Sequence, residues 1–146
     1  MKDVKILKRL ITSVTMAVML CMSLAVLNGC GGEAVVVIDE RFFVVQTQDI
    51  LFNPSRFMGR TIRYEGFFGS MQWDDEPPLH YVARRTLGCC GDDGIIGFEV
   101  VLGDIAPPAD DAWVEVTGVL HGEGRRLFLY VTHLTELQER GMEFVQ

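Results

Sequence analysis

Lysine is missing from the sequence after Lys8, and this absence sets the charge of most of the chain. From Cys30 onward there are 9 Arg and 19 Asp or Glu, which gives a formal charge of −10. Nucleic-acid binding depends on basic side chains that neutralise phosphates. We therefore expect no nucleic-acid partner, since so acidic a domain is better suited to cations or basic partners.

The short motifs of common enzyme chemistries are also missing. The sequence contains no Gly-x-Ser-x-Gly, no His-Glu-x-x-His, no phosphate loop and no Cys-x-x-Cys. A cysteine with His and Asp nearby can act as a nucleophile, but nothing in the pattern positions a base for it. The sequence therefore predicts a protein that is not an enzyme.

One long apolar run is present, at the N-terminal end. Residues 10–27 carry no charge and follow a basic stretch, residues 2–9. This order is typical of an export signal. Residues 27–30, Leu-Asn-Gly-Cys, resemble a bacterial lipobox, in which cleavage precedes the cysteine and the cysteine is lipidated. We therefore predict a signal peptide over residues 1–29 and a lipid on Cys30.

Two other interpretations of the apolar run stay open. Eighteen apolar residues can just span a bilayer as an uncleaved helix, and the run could also be an ordinary signal cleaved elsewhere. The lipoprotein and the uncleaved anchor both place the following domain on the outer side of the cytoplasmic membrane, with the basic flank inside. The predicted localisation is extracytoplasmic, at the cell membrane and lipid-anchored.

Cysteines suited to a structural disulfide are scarce in the exported part. Cys21 lies in the signal and Cys30 would carry lipid, which leaves the adjacent pair Cys89 and Cys90. Consecutive Cα atoms are about 3.8 Å apart, whereas relaxed disulfides prefer roughly 4.4–6.8 Å. A Cys89–Cys90 bond would be strained, so core packing must stabilise the fold.

The part of the chain that follows the predicted signal has the sequence pattern of a small β protein. Residues 30–34 form a short tether, and residues 35–146 form the domain. Residues 35–38 and 42–45 favour extended chain because they are β-branched or aromatic. Thr47 can cap a short helix in which Ile50 and Leu51 are buried and which Pro54 ends.

Five segments alternate with period two and are separated by turn residues. They cover residues 61–68, 79–87, 95–102, 113–120 and 127–134. Five short strands at this spacing predict a mostly β fold, a small OB-like barrel with one short helix. In a usual OB-fold the helix follows the third strand, whereas here the candidate helix precedes the first.

Residues 80–94 contain the largest group of potential metal ligands in the sequence, with two thiols, two carboxylates and an imidazole. Soft thiolates select Zn(II) or Cu(I), and tetrahedral zinc sites accept Cys, His and Asp together. We therefore take Cys89, Cys90, Asp93 and His80 as candidate metal ligands. Adjacent side chains on a regular strand point to opposite faces, so both sulfurs reach one ion only if the chain bends. The alternative is that the thiols simply pack.

The neighbouring charged residues have two interpretations each. Asp92 and Asp93 can satisfy turn geometry or act as hard ligands that attract cations. Arg84 and Arg85 are expected to be a solvated pair, although an arginine close to a thiol would lower its pKa and raise its reactivity. The aromatic residues Phe67, Phe68, Trp73 and Trp113 are expected to pack in the core or at its rim.

Three stretches resemble a known family. They are Gly-Arg-Thr-Ile-Arg-Tyr-Glu-Gly-Phe-Phe at residues 59–68, Tyr-Val-Ala-Arg at residues 81–84 followed by Cys89, Cys90 and Asp93, and Trp-Val-Glu-Val-Thr-Gly at residues 113–118. They are similar to the soluble C-terminal domain of the YcgQ-type permease-subunit family, a domain of unknown function. Arg85 departs from the family pattern, in which an aromatic residue is usual.

The resemblance implies an accessory role outside the cytoplasm, beside a companion integral membrane permease, and a link to metal-ion handling. Three hypotheses follow. The chain is a tethered binding module that holds zinc or copper on the cysteine pair, or a structural protein–protein interaction module with packed cysteines, or a thiol redox protein that uses a strained disulfide between adjacent cysteines.

Overall fold

A computed structural model describes residues 34–73, 76–87 and 94–146. These residues form seven β-strands and one α-helix. The strands are β1 Val36–Val37, β2 Thr61–Met71, β3 Leu79–Thr86, β4 Gly94–Val101, β5 Trp113–Glu123, β6 Arg126–Glu136 and β7 Phe144–Val145, and the helix is α1 Phe43–Phe52. Short 3-10 turns, Glu40–Phe42 and Pro54–Arg56, flank the helix.

Five of the strands pair around a ring. The order is β2, β5, β6, β4 and β3, and β3 pairs with β2 again. The pairs are antiparallel except β4 with β6, which run parallel from Glu99↔Phe128 to Val101↔Tyr130. This short parallel contact is typical of the partly open five-stranded OB barrel. The mostly β, OB-like prediction and its five main strands are confirmed.

The barrel interior follows from the alternation along the strands. In β2, Ile62, Tyr64 and Phe68 are buried, whereas Arg63 between them is exposed. Successive strand residues point to opposite faces, so a period of two places one set inside. The interior is filled by apolar residues from all five barrel strands. Burial of these side chains is the main contribution to the stability of the domain.

Helix α1 begins earlier than the sequence predicts. The expectation of extended chain at residues 42–45 is wrong, because α1 starts at Phe43 and Asp39 caps the preceding turn by accepting a bond from Arg41 N. Thr47 is therefore a buried residue inside the helix and not its cap. Leu51, predicted to be buried, is 36% exposed, while Phe43 and Ile50 face the barrel.

A second, smaller apolar cluster lies apart from the main core. Phe67, Ala83 and Trp113 are buried together, and Leu137 packs against them. The last strand, β7, adds in parallel to β3 through Arg85↔Phe144 and Thr86↔Val145. The segment after β6 thus returns across the third strand and covers this cluster.

No helix within the described ranges is long and apolar enough to cross a membrane. The predicted signal peptide, residues 1–29, and the lipid site Cys30 lie outside the described residues. The predicted boundaries at residues 29 and 34 therefore stay predictions.

Candidate functional site

The β3–β4 hairpin carries the predicted metal site in its loop. The last register pair is Thr86↔Gly94, so residues 87–93 connect the two strands. Both cysteines and both aspartates of the prediction belong to this connection, called here the cysteine loop. Cys89, Cys90, Asp92 and Asp93 lie outside the described residues. Their predicted roles stay predictions.

The base of the cysteine loop is fixed by pairing on both sides. Thr86 pairs with Gly94 of β4 and with Val145 of β7. Val145 is 1% exposed, and Arg85 N donates to the carbonyl of Glu143 at 3.0 Å. A loop that leaves from a strand paired on both edges has its end points held in place.

Arg84, three positions before the first residue of the loop, is buried. Its side chain is 3% exposed. Nε donates to the carbonyl oxygen of Glu65 at 2.7 Å and one terminal nitrogen donates to that of Met142 at 2.9 Å. The guanidinium also lies 3.7 Å from the carboxylate of Glu40. Arg84 therefore connects β3 to β2, to the turn before α1 and to the C-terminal segment.

The electrostatics of Arg84 are those of a desolvated cation. Burial lowers its pKa, and the carboxylates of Glu40 and Glu65 oppose that shift. An arginine stays charged in proteins, so its charge must be compensated where it lies. The expectation of a solvated Arg84–Arg85 pair is wrong for Arg84. Arg85 is 37% exposed along its side chain and bonds to Glu143 at 2.8 Å.

The carbonyls and carboxylates around Arg84 were not foreseen from the sequence. The alternation along β3 could have indicated that Arg84 is buried, because Arg84 shares a face with Val82, which is 0% exposed. No local pattern indicates its partners, since Glu65 and Met142 lie 19 and 58 residues away in the chain.

His80 lies at the opposite end of β3 from the cysteine loop. It pairs with Val100, whereas the loop leaves after Thr86, six residues or roughly 20 Å further along the strand. Its Nδ1 is 2.9 Å from the hydroxyl of Ser70, and its ring stacks on Phe68 at 5.4 Å. The structure thus gives His80 local partners and does not bring it to the base of the loop.

His80 borders a cleft of ≈680 Å³ beside the β2–β3 connection. Trp73, 51% exposed, stands on one side, and the ion-paired side chains of Glu99 and Arg126 stand on another. OB-folds commonly bind ligands near the corresponding loops. Glu99 and Arg126 were not among the predicted site residues, although a carboxylate within the otherwise apolar β4 was a visible signal. Their charges already compensate each other.

The other histidines are apart from His80. His121 stacks on Phe128 at 6.0 Å, and Nε2 of His133 is 3.0 Å from the hydroxyl of Thr135. Across residues 34–73, 76–87 and 94–146 there is no group of three or more His, Cys, Asp and Glu that could hold a metal ion.

Comparison with protein families gives one match. The model of a family described as the DUF1980 C-terminal domain matches residues 23–140, which is most of the chain. Neither the curated proteins nor the solved structures contain a match. The resemblance seen in the three sequence stretches is therefore confirmed at the level of the family.

Proposed function

The chain belongs to the DUF1980 C-terminal domain family, and from this premise we propose that it is an extracytoplasmic, membrane-tethered module that binds a soft metal ion. Cys89 and Cys90 supply the two thiolates, Asp93 assists, and zinc or copper(I) is the ion. The module serves an integral membrane permease as an accessory. The single observation that carries the proposal is the hairpin register.

The pair Thr86↔Gly94 confines both thiols and both carboxylates to one short connection between two strands. Two thiolates with a carboxylate form a donor set that zinc accepts, while copper(I) prefers the thiolates alone. The paired base of the loop supports the proposal further, because fixed end points lower the conformational entropy that a loop loses on binding an ion.

The chemistry of adjacent cysteines favours an ion over a disulfide. Cα atoms about 3.8 Å apart are closer than the roughly 4.4 Å at which relaxed disulfides begin. Thiols that do not easily oxidise to each other remain available as ligands. The proposal gives His80 no role, because its local partners and its place at the far end of β3 separate it from the loop.

The experiment is a metal titration of the purified chain under reducing, metal-defined conditions. Zn(II) and Cu(I) are added separately, and native mass spectrometry counts bound ions beside the Cys89→Ser/Cys90→Ser variant. We expect stoichiometric uptake that disappears in the double variant. Asp93→Asn should weaken Zn(II) binding more than Cu(I) binding, because a carboxylate is a hard ligand.

The matched control is His80→Gln, which alters the other predicted ligand and leaves the loop intact. It should retain full uptake, and circular dichroism of each variant checks that the fold is kept. Equal uptake by the double-cysteine variant would overturn the proposal. Absent uptake, with both thiols slow to alkylate in the folded chain, would also overturn it and favour an interaction module with packed cysteines.

A further inference from the structure

Helix α1 exposes an apolar face on the side opposite its buried one. Phe42, at the end of the preceding turn, is 61% exposed, Val45 is 65% exposed and Phe52 is 79% exposed. At 100° per residue these three positions lie within about 80° of one another around the helix axis. Phe43, Thr47 and Ile50 occupy the other side and are buried. We call Phe42, Val45 and Phe52 the outer face of α1.

Isolated exposed apolar residues are common on proteins. The outer face differs from them, because two phenylalanines and a valine on one side of a helix form a patch. Packing within the barrel does not require them, since the core contacts of α1 are made by its opposite side. Their position therefore indicates contact with something outside the domain.

The charge distribution of the domain favours a lipid surface as the partner of the outer face of α1. Residues 30–63, which contain α1, carry four Arg and four Asp or Glu, whereas residues 64–146 carry five Arg and fifteen Asp or Glu. The segment that displays the outer face is thus neutral overall, while the remainder is strongly acidic. An anionic membrane repels the second and not the first. Among the basic residues, Arg41 lies next to Phe42 and is exposed.

Chain length points to the same occupant. Five residues lie between Cys30 and Val36, the first residue of β1, so the connection spans at most about 22 Å. Val36 pairs with Ile62 at the start of β2. A lipid on Cys30 would therefore keep β1 close to the membrane, and the segment after β1 bonds directly to α1, where Asp39 N donates to the side-chain oxygen of Gln46 at 2.8 Å.

We propose that the outer face of α1 lies on the outer surface of the membrane, as a second attachment beside the lipid on Cys30. This inference rests on the proposed tether but not on metal binding. Phenylalanines at the headgroup boundary with a neighbouring arginine are typical of interfacial helices. The lipid would keep the chain at the membrane, and contact through the helix would restrict the orientation of the barrel on that surface.

The test uses the full chain in vesicles of phosphatidylethanolamine and phosphatidylglycerol, with and without brominated acyl chains that quench tryptophan on contact. Phe52→Trp reports the outer face, and the emission of the parent chain, from Trp73 and Trp113, is subtracted. The matched control is Tyr130→Trp, since Tyr130 is 50% exposed on β6. We expect brominated lipids to quench the emission added at position 52 and to leave that added at position 130 unchanged.

Three results would overturn the inference. The first is that brominated lipids do not quench the emission at position 52, and the second is that they quench positions 52 and 130 equally. The third is that position 52 is protected from aqueous acrylamide but not quenched by lipid. This third result would indicate contact with a protein, such as a second copy of the chain. Adding Phe42→Ser and Val45→Ser to Phe52→Trp should reduce the quenching. Mass spectrometry of the peptide that carries Cys30 shows separately whether the lipid is attached. If the lipid is attached but position 52 is not quenched, the membrane contact of α1 is overturned and the lipid tether is not.

Discussion

The guanidinium of Arg84 lies 4.9 Å from the ring centroid of Phe43. A cation from the third strand thus covers the first residue of the helix, and it lies 5.1 Å from the ring of Trp113 as well. Contacts of this kind strengthen when water is excluded from them. Arg84 therefore belongs to the architecture that connects helix, barrel and C-terminal segment, next to the strand end from which the cysteine loop departs.

Replacing Arg84 by methionine should lower the free energy of unfolding by about 2–4 kcal/mol. The change leaves the carbonyls of Glu65 and Met142 without their donor and the nearby carboxylates without their cation. Arg84→Lys should recover only part of the loss, because an ammonium group cannot reproduce the planar fork. Urea unfolding of the purified variants measures both values.

Arg85→Met is the control for that experiment. Arg85 is partly exposed and pairs with Glu143 and Asp111 at the surface. Exposed ion pairs contribute at most about 1 kcal/mol, so the variant should stay near the parent. Similar losses for Arg84→Met and Arg85→Met would show that burial of the guanidinium is not what matters.

Gly97 should not tolerate even one added methyl group. A Cβ there would collide with the carbonyl oxygen of Val82 and lie 2.6 Å from the Cα of Ala83, both backbone atoms of β3. Because the backbone cannot rotate away, β3 and β4 would have to separate, and we expect Gly97→Ala to cost about 3 kcal/mol. Thermal and urea unfolding provide the measurement.

Gly94→Ala on the same strand is the matched comparison. The nearest atom to its added Cβ is the hydroxyl of Thr86, at 2.8 Å, which can rotate aside. We expect a loss of well under half that of Gly97→Ala. If both alanines were equally harmless, the close approach of β3 and β4 would not be required for the barrel.

Tyr64 should make the fold sensitive to alkali. Its hydroxyl donates to the carbonyl of Val82 at 2.8 Å, and burial raises its pKa well above the usual range. Since the folded state holds the proton more tightly than the unfolded chain, this contribution is complete below about pH 10 and is lost as the pH rises further. The free energy of unfolding should therefore fall above pH 10.

Tyr64→Phe separates this effect from general alkaline damage. It should cost about 1 kcal/mol at neutral pH, because the Val82 carbonyl loses its donor, and it should flatten the decline above pH 10. Absorbance at 295 nm follows tyrosine ionisation during the same titration. An unchanged alkaline decline in the variant would assign the sensitivity to other groups.

The strands could be predicted because their information is local. Alternation with period two and intervening turn residues placed all five barrel strands, and the buried positions Ile62, Tyr64 and Phe68 fit the same alternation. The start of α1 could not be placed this way. Residues 43–45 are aromatic or β-branched and favour strand, yet Asp39 caps the turn and burial of Phe43 against Tyr64 at 5.7 Å overrides that preference.

The charge, the predicted export signal and the residue content of the cysteine loop could also be read from the linear chain, because counts and neighbours along a sequence do not depend on its path. Which side chains meet depends entirely on that path. Only the folded barrel separates His80 from the base of the cysteine loop and buries Arg84 among groups from residues 40, 65 and 142. It alone leaves the outer face of α1 uncovered. Contacts between distant residues follow from how strands close around a core, and no local periodicity encodes that closure.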